Sequence, residues 1–266
     1  MTSSIRPCLV PERLTPGDAE PVIVADFLPF SSGKPLSQVI SAHGEGHPVY
    51  RVDPVTDLAC DGAYLSLAAL AAGYTDAFLQ AAAACDRTVV VGYCSAAALA
   101  LRIAARLAGS RDVLAILVQP TWPDTTMIRS DLDRFRADLG AANGSRPDLD
   151  EDPSRALSQL GELLHADLRA MATAHGLDES GGALAELLAR YRAWLGFLLA
   201  CRDALREPWS QELSLNVLVD AAGNALVPWF ESGSYQVTKL SSPDAEPVSG
   251  TKLARSVLAK IRNYAI

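Results

Sequence analysis

Lysine is scarce in this chain of 266 residues: four stand against nineteen arginines, and acids exceed bases to leave a formal net charge of -8. Without a basic excess the chain lacks the clustered cations that neutralise phosphates, which excludes a nucleic-acid backbone as partner. Cysteine is sparse and unpaired. Cys8, Cys60, Cys85, Cys94 and Cys201 are odd in number and scattered, with no Cys-x-x-Cys. That pattern excludes a disulfide framework and a structural zinc site and predicts reduced thiols. Acids and the four histidines show no ligand spacing, so neither a metal nor a cofactor is expected. No apolar run approaches a membrane span, and the stretch Met1 to Pro7 has no signal-peptide core. The expectation is a cytoplasmic protein that binds neither membrane nor nucleic acid. Ser31-Ser-Gly-Lys34 falls short of the spacing of a phosphate-binding loop.

What the chain does have is apolar bulk, 49% of its residues, in an alternating order of buried runs and helical patterns. Pro21 to Phe27, Gly46 to Val52, Thr88 to Val91, Asp112 to Gln119, Glu212 to Asp220 and Tyr235 to Leu240 read as strands. Helical spacing falls between them, over Pro35 to Ala42, Asp61 to Ala84, the alanine-rich stretch after Cys94, and Thr251 to Tyr264. Such alternation predicts an α/β fold with a mostly parallel central sheet flanked by helices, its ligands beyond the carboxyl ends of the strands. Residues 125–207 break the pattern. They carry only helices, roughly Met127 to Leu139, Pro153 to Ala174 and Gly182 to Leu205, and read as a helical lid inserted into one domain spanning 1–266. Residues 1–20 read as a loop or a loosely paired arm.

The organising stretch is Thr88-Val-Val-Val-Gly-Tyr-Cys-Ser-Ala-Ala. A strand that stops at glycine, a cysteine two residues on and an immediate helix have the layout of a nucleophile elbow. The turn is crowded, so positions two before and two after the nucleophile must be small, as Gly92 and Ala96 are. It aims the Ser95 amide, at the positive end of the new helix, toward an oxyanion formed at Cys94. The other reading of Cys94 is an inert core thiol.

With elbow, lid and strand order assembled, nearly the whole chain resembles the α/β-hydrolase thioesterases of polyketide and nonribosomal peptide assembly lines, the type II thioesterases among them. Gly92-Tyr-Cys-Ser-Ala-Ala is similar to the family's Gly-Tyr-Ser/Cys-x-Gly-Gly elbow. Leu28-Pro-Phe-Ser-Ser stands where the family has its His-Pro-small-Gly-Gly turn, and the resemblance implies the Phe30 amide as second oxyanion donor. His47-Pro-Val-Tyr and the stretch Tyr64 to Leu79 match the strand and helix that follow. The implied function is that of a thioesterase-like enzyme. An acyl or peptidyl chain passes from a thioester, on a carrier protein, to Cys94 and then to water, an amine or an alcohol.

Two parts of the family's machinery are missing. Its acid belongs just after the strand that follows the elbow helix, where Gln119-Pro-Thr-Trp122 stands; Asp124 lies further along. The alternative acid position falls at Asp220 or Asn224. An asparagine can orient a histidine beside a cysteine, as in papain-like triads. The histidine itself belongs in the loop Ser241 to Gly250, which has none; all four stand elsewhere, at His43, His47, His165 and His175. A serine nucleophile would be inert there, but a free thiol is partly ionised near neutrality and intrinsically nucleophilic. Asp244 and Glu246, in the loop of the absent histidine, are the expected weaker bases. Gln119, Trp122, Trp194, Phe197 and Trp229 are the expected pocket lining, although Trp194 and Phe197 also fall at core spacing in the last lid helix. Two alternatives follow from the missing groups: a catalytically silent homologue that binds an acyl chain or carrier protein, and a cyclase or lyase in which Cys94 is a bystander.

Overall fold

The computed structural model describes residues 9–27, 34–44, 46–82, 85–141, 147–150, 152–176, 182–220, 225–231, 233–240 and 250–264. They fall into two compact units. One comprises Leu9–Pro54, Leu67–Trp122 and Ala204 onward; the other comprises Val55–Ser66 and Pro123–Asp203.

The first unit is built on a seven-stranded sheet. Its strands are β1 (Glu12–Thr15), β2 (Val22–Ala25), β3 (Val49–Val52), β4 (Arg87–Tyr93), β5 (Asp112–Val118), β6 (Ser214–Asp220) and β7 (Gln236–Leu240). They lie in the order β1-β3-β2-β4-β5-β6-β7. Every pairing is parallel except β1 with β3, which is antiparallel with an irregular register between Arg13 and Thr15. Part of the stretch expected as a loose arm is therefore a paired edge strand. Val89, Val90 and Val91 of β4 and Ala115 to Val118 of β5 are fully buried. β-branched and aliphatic side chains on both faces suit a sheet covered on both sides.

Helices supply that cover. On one face α1 (Leu36–His43) and α8 (Gly250–Tyr264) close over Val22, Val24, Val89, Val91 and Ile116. Leu253, Ala254, Val257, Leu258 and Ile261 of α8 recur at helical spacing and are all buried. α3 (Leu67–Ala81) packs with α4 (Ala97–Leu107), which lies along β4 and β5. Alanines on α4 let it approach the strand closely. A side chain at Gly92 would come within 2.6 Å of the Ala100 Cβ and 2.7 Å of the Ala97 Cα.

The second unit is all helical: α2 (Pro54–Asp61), α5 (Thr125–Asp138), α6 (Pro153–His175) and α7 (Gly182–Ala204). The helix expected over Asp61 to Ala84 is the shorter α3; Asp61 instead ends α2, a helix the sequence reading did not include, where Gly62 takes a left-handed φ of 65°. α6 begins where Asp152 accepts from the Ser154 and Arg155 amides and ends at Gly176, φ 65°. Leu157, Leu160, Leu164 and Leu168 form its buried stripe. α5 joins α6 through Arg136 and Asp167, whose Nε and Oδ2 are 2.6 Å apart in a site with little exposure of either side chain. That hydrogen bond pushes the Arg136 guanidinium pKa up, against the opposing effect of burial.

Candidate active site

Cys94 leaves β4 in a left-handed backbone conformation, φ 53°. For a residue with a side chain this region is uncommon and costs on the order of 1 kcal/mol or more. A 3-10 turn over Cys94–Ala96 leads straight into α4. The strained residue, the glycine whose added Cβ would strike α4, and the fully buried Ala96 are the parts of a nucleophile elbow. Cys94 Sγ is half-buried and lies 3.3 Å from Thr121 Oγ1 and 4.0 Å from Ser95 Oγ. The two hydroxyls are 2.9 Å apart, and the Thr121 amide donates to the Cys94 carbonyl. Thr121 thus ties the backbone and thiol of Cys94 to the end of β5. Sequence reasoning passed over it; the available signal was its place three residues beyond the strand that neighbours the elbow.

Asp26 was also missed. It follows β2 at the carboxyl edge, where Ala25 pairs with Gly92, so it stands beside Tyr93 at the root of the elbow. The residue is 1% exposed. Its Oδ2 accepts from the Ser37 amide in the first turn of α1, at 2.7 Å, while Oδ1 is buried without a hydrogen-bond partner. Burial pushes its carboxyl up to about 6, against the Ser37 amide and hydroxyl, with Asp53 adding to the rise and Arg51 opposing it. The Tyr93 phenol is pushed up in turn, by burial first and then by Cys94 and Asp26. An acid ending an otherwise apolar run was the visible signal.

At the end of β5, Gln119 also takes a positive φ, 47°, and its amide donates to the Leu218 carbonyl of β6. Asp220 closes β6 with Oδ1 buried and unpartnered among the described residues. Beyond Thr121, three of the chain's four tryptophans gather. Trp229 lies edge-on to Trp122 at 5.9 Å and stacks with Trp209 at 5.3 Å. The Arg102 guanidinium of α4 lies 5.3 Å from both the Trp209 and Trp229 rings. The Trp122 and Trp229 indoles donate to the Leu226 and Glu207 carbonyls, which fixes the rings. Trp209, absent from the expected lining, completes this wall.

The histidines of this unit are engaged elsewhere. His43 is in the last turn of α1, its Nδ1 2.9 Å from the Val39 carbonyl; His47 precedes β3, its Nδ1 2.9 Å from the Glu20 carbonyl. A helix between parallel strands runs back against them, so both positions fall at the amino edge, away from Cys94. His165 belongs to α6 of the helical unit and His175 ends it.

Of the other expected site residues, Phe30, Asn224, Asp244 and Glu246 lie outside the described residues. Trp194 and Phe197 are packed within the helical unit, 6% and 0% exposed, and the Trp194 indole donates to Asp131 at 2.7 Å. Among the described residues no three of His, Cys, Asp and Glu are placed to hold a metal ion, and no helix is long and apolar enough to cross a membrane.

A cysteine elbow at the carboxyl edge of a seven-stranded, mostly parallel sheet with helices on both faces defines an α/β-hydrolase fold. The same fold is found in thioesterases of natural-product assembly. The chain is similar to the Vlm2 thioesterase domain carrying genetically encoded 2,3-diaminopropionic acid and bound with a dodecadepsipeptide. The TM-score there is 0.56 at 16% identity, over 94% of this chain and 97% of that one. It is similar to the type II thioesterase BorB from the borrelidin biosynthetic cluster, with TM-score 0.56 and 13% identity over 97% and 98% of the two chains. A putative α/β hydrolase family protein from Desulfitobacterium hafniense matches at 0.54 and 13%, over 96% and 100%. No family model and no curated protein sequence matches the chain. At identities this low the likeness establishes the fold, and the reaction must be argued from the site.

Proposed function

We propose that this protein is a thioesterase-like enzyme of natural-product biosynthesis that takes an acyl or peptidyl chain from a carrier-protein thioester onto Cys94. The observation that carries the reading is the strained elbow. A cysteine at φ 53° beside a glycine that tolerates no side chain is a costly way to build a core thiol. In the acylation step Cys94 Sγ bonds to the thioester carbonyl carbon, the carrier's C–S bond breaks, and the Cys94 proton ends on the departing thiol. One thioester replaces another, so the step is near-isoenergetic. The Ser95 and Phe30 amides are the proposed oxyanion donors. The chain then passes to water, an amine or an alcohol, for which Asp220, Asn224, Asp244 and Glu246 are the proposed bases or orienting groups. Residues 125–207 are the proposed lid, and Gln119, Trp122 and Trp229 line the proposed pocket.

One observation favours a second reading, a silent homologue that holds an acyl chain or a carrier protein. Among the described residues the groups that meet the Cys94 thiol at hydrogen-bond distance are hydroxyls, and both histidines of the sheet unit are committed to the opposite edge. Intact mass after incubation with simple acyl thioesters and an acyl-loaded carrier protein separates the two. The enzyme reading expects an adduct on wild type and none on Cys94→Ala. Absence of an adduct on wild type, with Cys94 also slow toward alkylating reagents, would transfer the assignment to the silent binder.

A further inference from the structure

Arginines of the helical unit are mostly spoken for. Arg134 pairs with Asp131, Arg136 with Asp167, Arg190 with Glu186 and Arg202 with Asp203. Arg192, two residues after Arg190 on α7, differs. Its Nε is buried and has no hydrogen-bond partner among the described residues. The guanidinium instead lies against bare backbone. A Cβ at Gly161 of α6 would stand 3.3 Å from its Cδ and Nε, and one at Gly62 would stand 3.5 Å from its Nη1. Gly62 already holds a left-handed φ, so two glycines clear the space that this side chain occupies.

Arg192 opens onto a groove of about 490 Å³ that lies wholly within this unit. His165 and Glu162 of α6 share its wall with Arg192, while Ala59, Leu188 and Ala189 make an apolar side. Ser158 also lines it, but its hydroxyl donates to the Ser154 carbonyl one turn back. Held with its Nε against Gly161, the guanidinium has no acidic partner among the described residues, so its charge is left for an incoming anion. The planar fork of arginine fits a two-oxygen face of an oxyanion, and a histidine adds a second donor or cation. Glu162 on the same wall opposes a second negative charge, which favours a singly charged phosphate ester over a dianion. The groove far exceeds a bare ion, and its alanines and leucine suit carbon.

We propose that this groove binds a phosphate ester carried on an organic arm, with Arg192 as its fork and His165 as the second donor. Two sources supply that chemistry: the phosphorylated thiol arm on which an acyl thioester travels, or a free phosphorylated metabolite. Only the first source rests on the thioesterase reading.

Equilibrium dialysis of the full chain against inorganic phosphate and coenzyme A tests the site without any turnover. Wild type and Cys94→Ala are expected to bind coenzyme A alike and at least tenfold more tightly than phosphate. Arg192→Met is expected to lose at least tenfold, and Arg192→Lys, which keeps the charge without the fork, to fall between. Thermal unfolding identifies any variant that fails to fold, and Arg192→Lys then carries the comparison. Equal affinity for phosphate and coenzyme A keeps the oxyanion site and assigns it to a free phosphorylated ligand. No binding to folded wild type at millimolar ligand, or unchanged binding by folded Arg192→Met and Arg192→Lys, overturns the proposal. Failure of simple acyl thioesters to acylate wild type counts against the enzyme reading and leaves the dialysis result standing.

Discussion

Two residues at the root of the elbow can be tested separately, because one acts through volume and the other through charge. A methyl added at Gly92 would meet the Ala100 Cβ at 2.6 Å and the backbone Cα of Ala97 at 2.7 Å, neither of which can rotate away. Gly92→Ala is therefore expected to cost about 3 kcal/mol, the upper range for overpacking, in chemical denaturation. A loss below about 1 kcal/mol would mean that α4 shifts freely and that the elbow is not held by contact. Asp26 carries the charge. Its folded pKa, about 6, stands above the ordinary value of 3.8, so between pH 4 and 6 the native state holds a proton that the unfolded chain has released. Stability contributed by this group is present at pH 4 and lost as pH rises through 6, by about 3 kcal/mol at full shift. Asn cannot ionise yet still accepts from the Ser37 amide. The stability of Asp26→Asn relative to wild type should then climb from pH 4 to 7 and level off above it. A difference that stays flat across that window would rule out the perturbed carboxyl.

Elements were legible in the sequence wherever the signal was local. Asp152-Pro153 opens α6 and Gly176 ends it, and both lie within two residues of the expected ends. Buried runs such as Val89 to Val91 and Val113 to Val118 marked strands for the same reason. The start of α3 was less legible: helical spacing placed it at Asp61, six residues early, because periodicity does not register that Gly62 takes a left-handed φ and ends α2 there. Contacts between distant segments were not legible at all. Thr121 reaches Cys94 only because β4 and β5 pair in register, and Asp26 reaches the elbow only because β2 lies on the other side of β4. The missing histidine was legible as an absence, but no local pattern names its substitute. The α5–α6 pair makes the same point energetically. Arg136→Met strands Asp167 in a nearly buried site and is expected to cost about 3 kcal/mol or more, whereas Arg136→Met with Asp167→Leu should recover most of it. Thermal and urea melts of the two singles and the double test this, and equal losses in single and double variants would show that the pair holds no uncompensated charge.

At the scale of the whole molecule, the two units differ in what ties them together. The sheet unit couples segments from Leu9 to the C-terminal helix through parallel strands, and its longest members, β4, β5 and β6, have seven residues each and neighbours on both sides. Exposing an amide in β4 or β5 requires separating two neighbouring strands and uncovering side chains that are fully buried. Among the described residues the helical unit keeps its regular backbone bonds within its helices, which meet through single stripes such as Leu157, Leu160, Leu164 and Leu168 of α6 and through a few side-chain bonds such as Arg136 to Asp167 and Trp194 to Asp131. Helical amides of that kind open by local or sub-global unfolding well below the global free energy. Native-state hydrogen exchange should therefore find the slowest amides on β4 and β5, with α5 and α6 exchanging through a smaller opening and with a weaker denaturant dependence. A phosphate ester bound to the helical unit should slow α6 and α7 and leave β4 unchanged, since a ligand protects only the openings that release it. Exchange on α6 as slow as on β5 in the free protein would show that the helical unit does not open on its own.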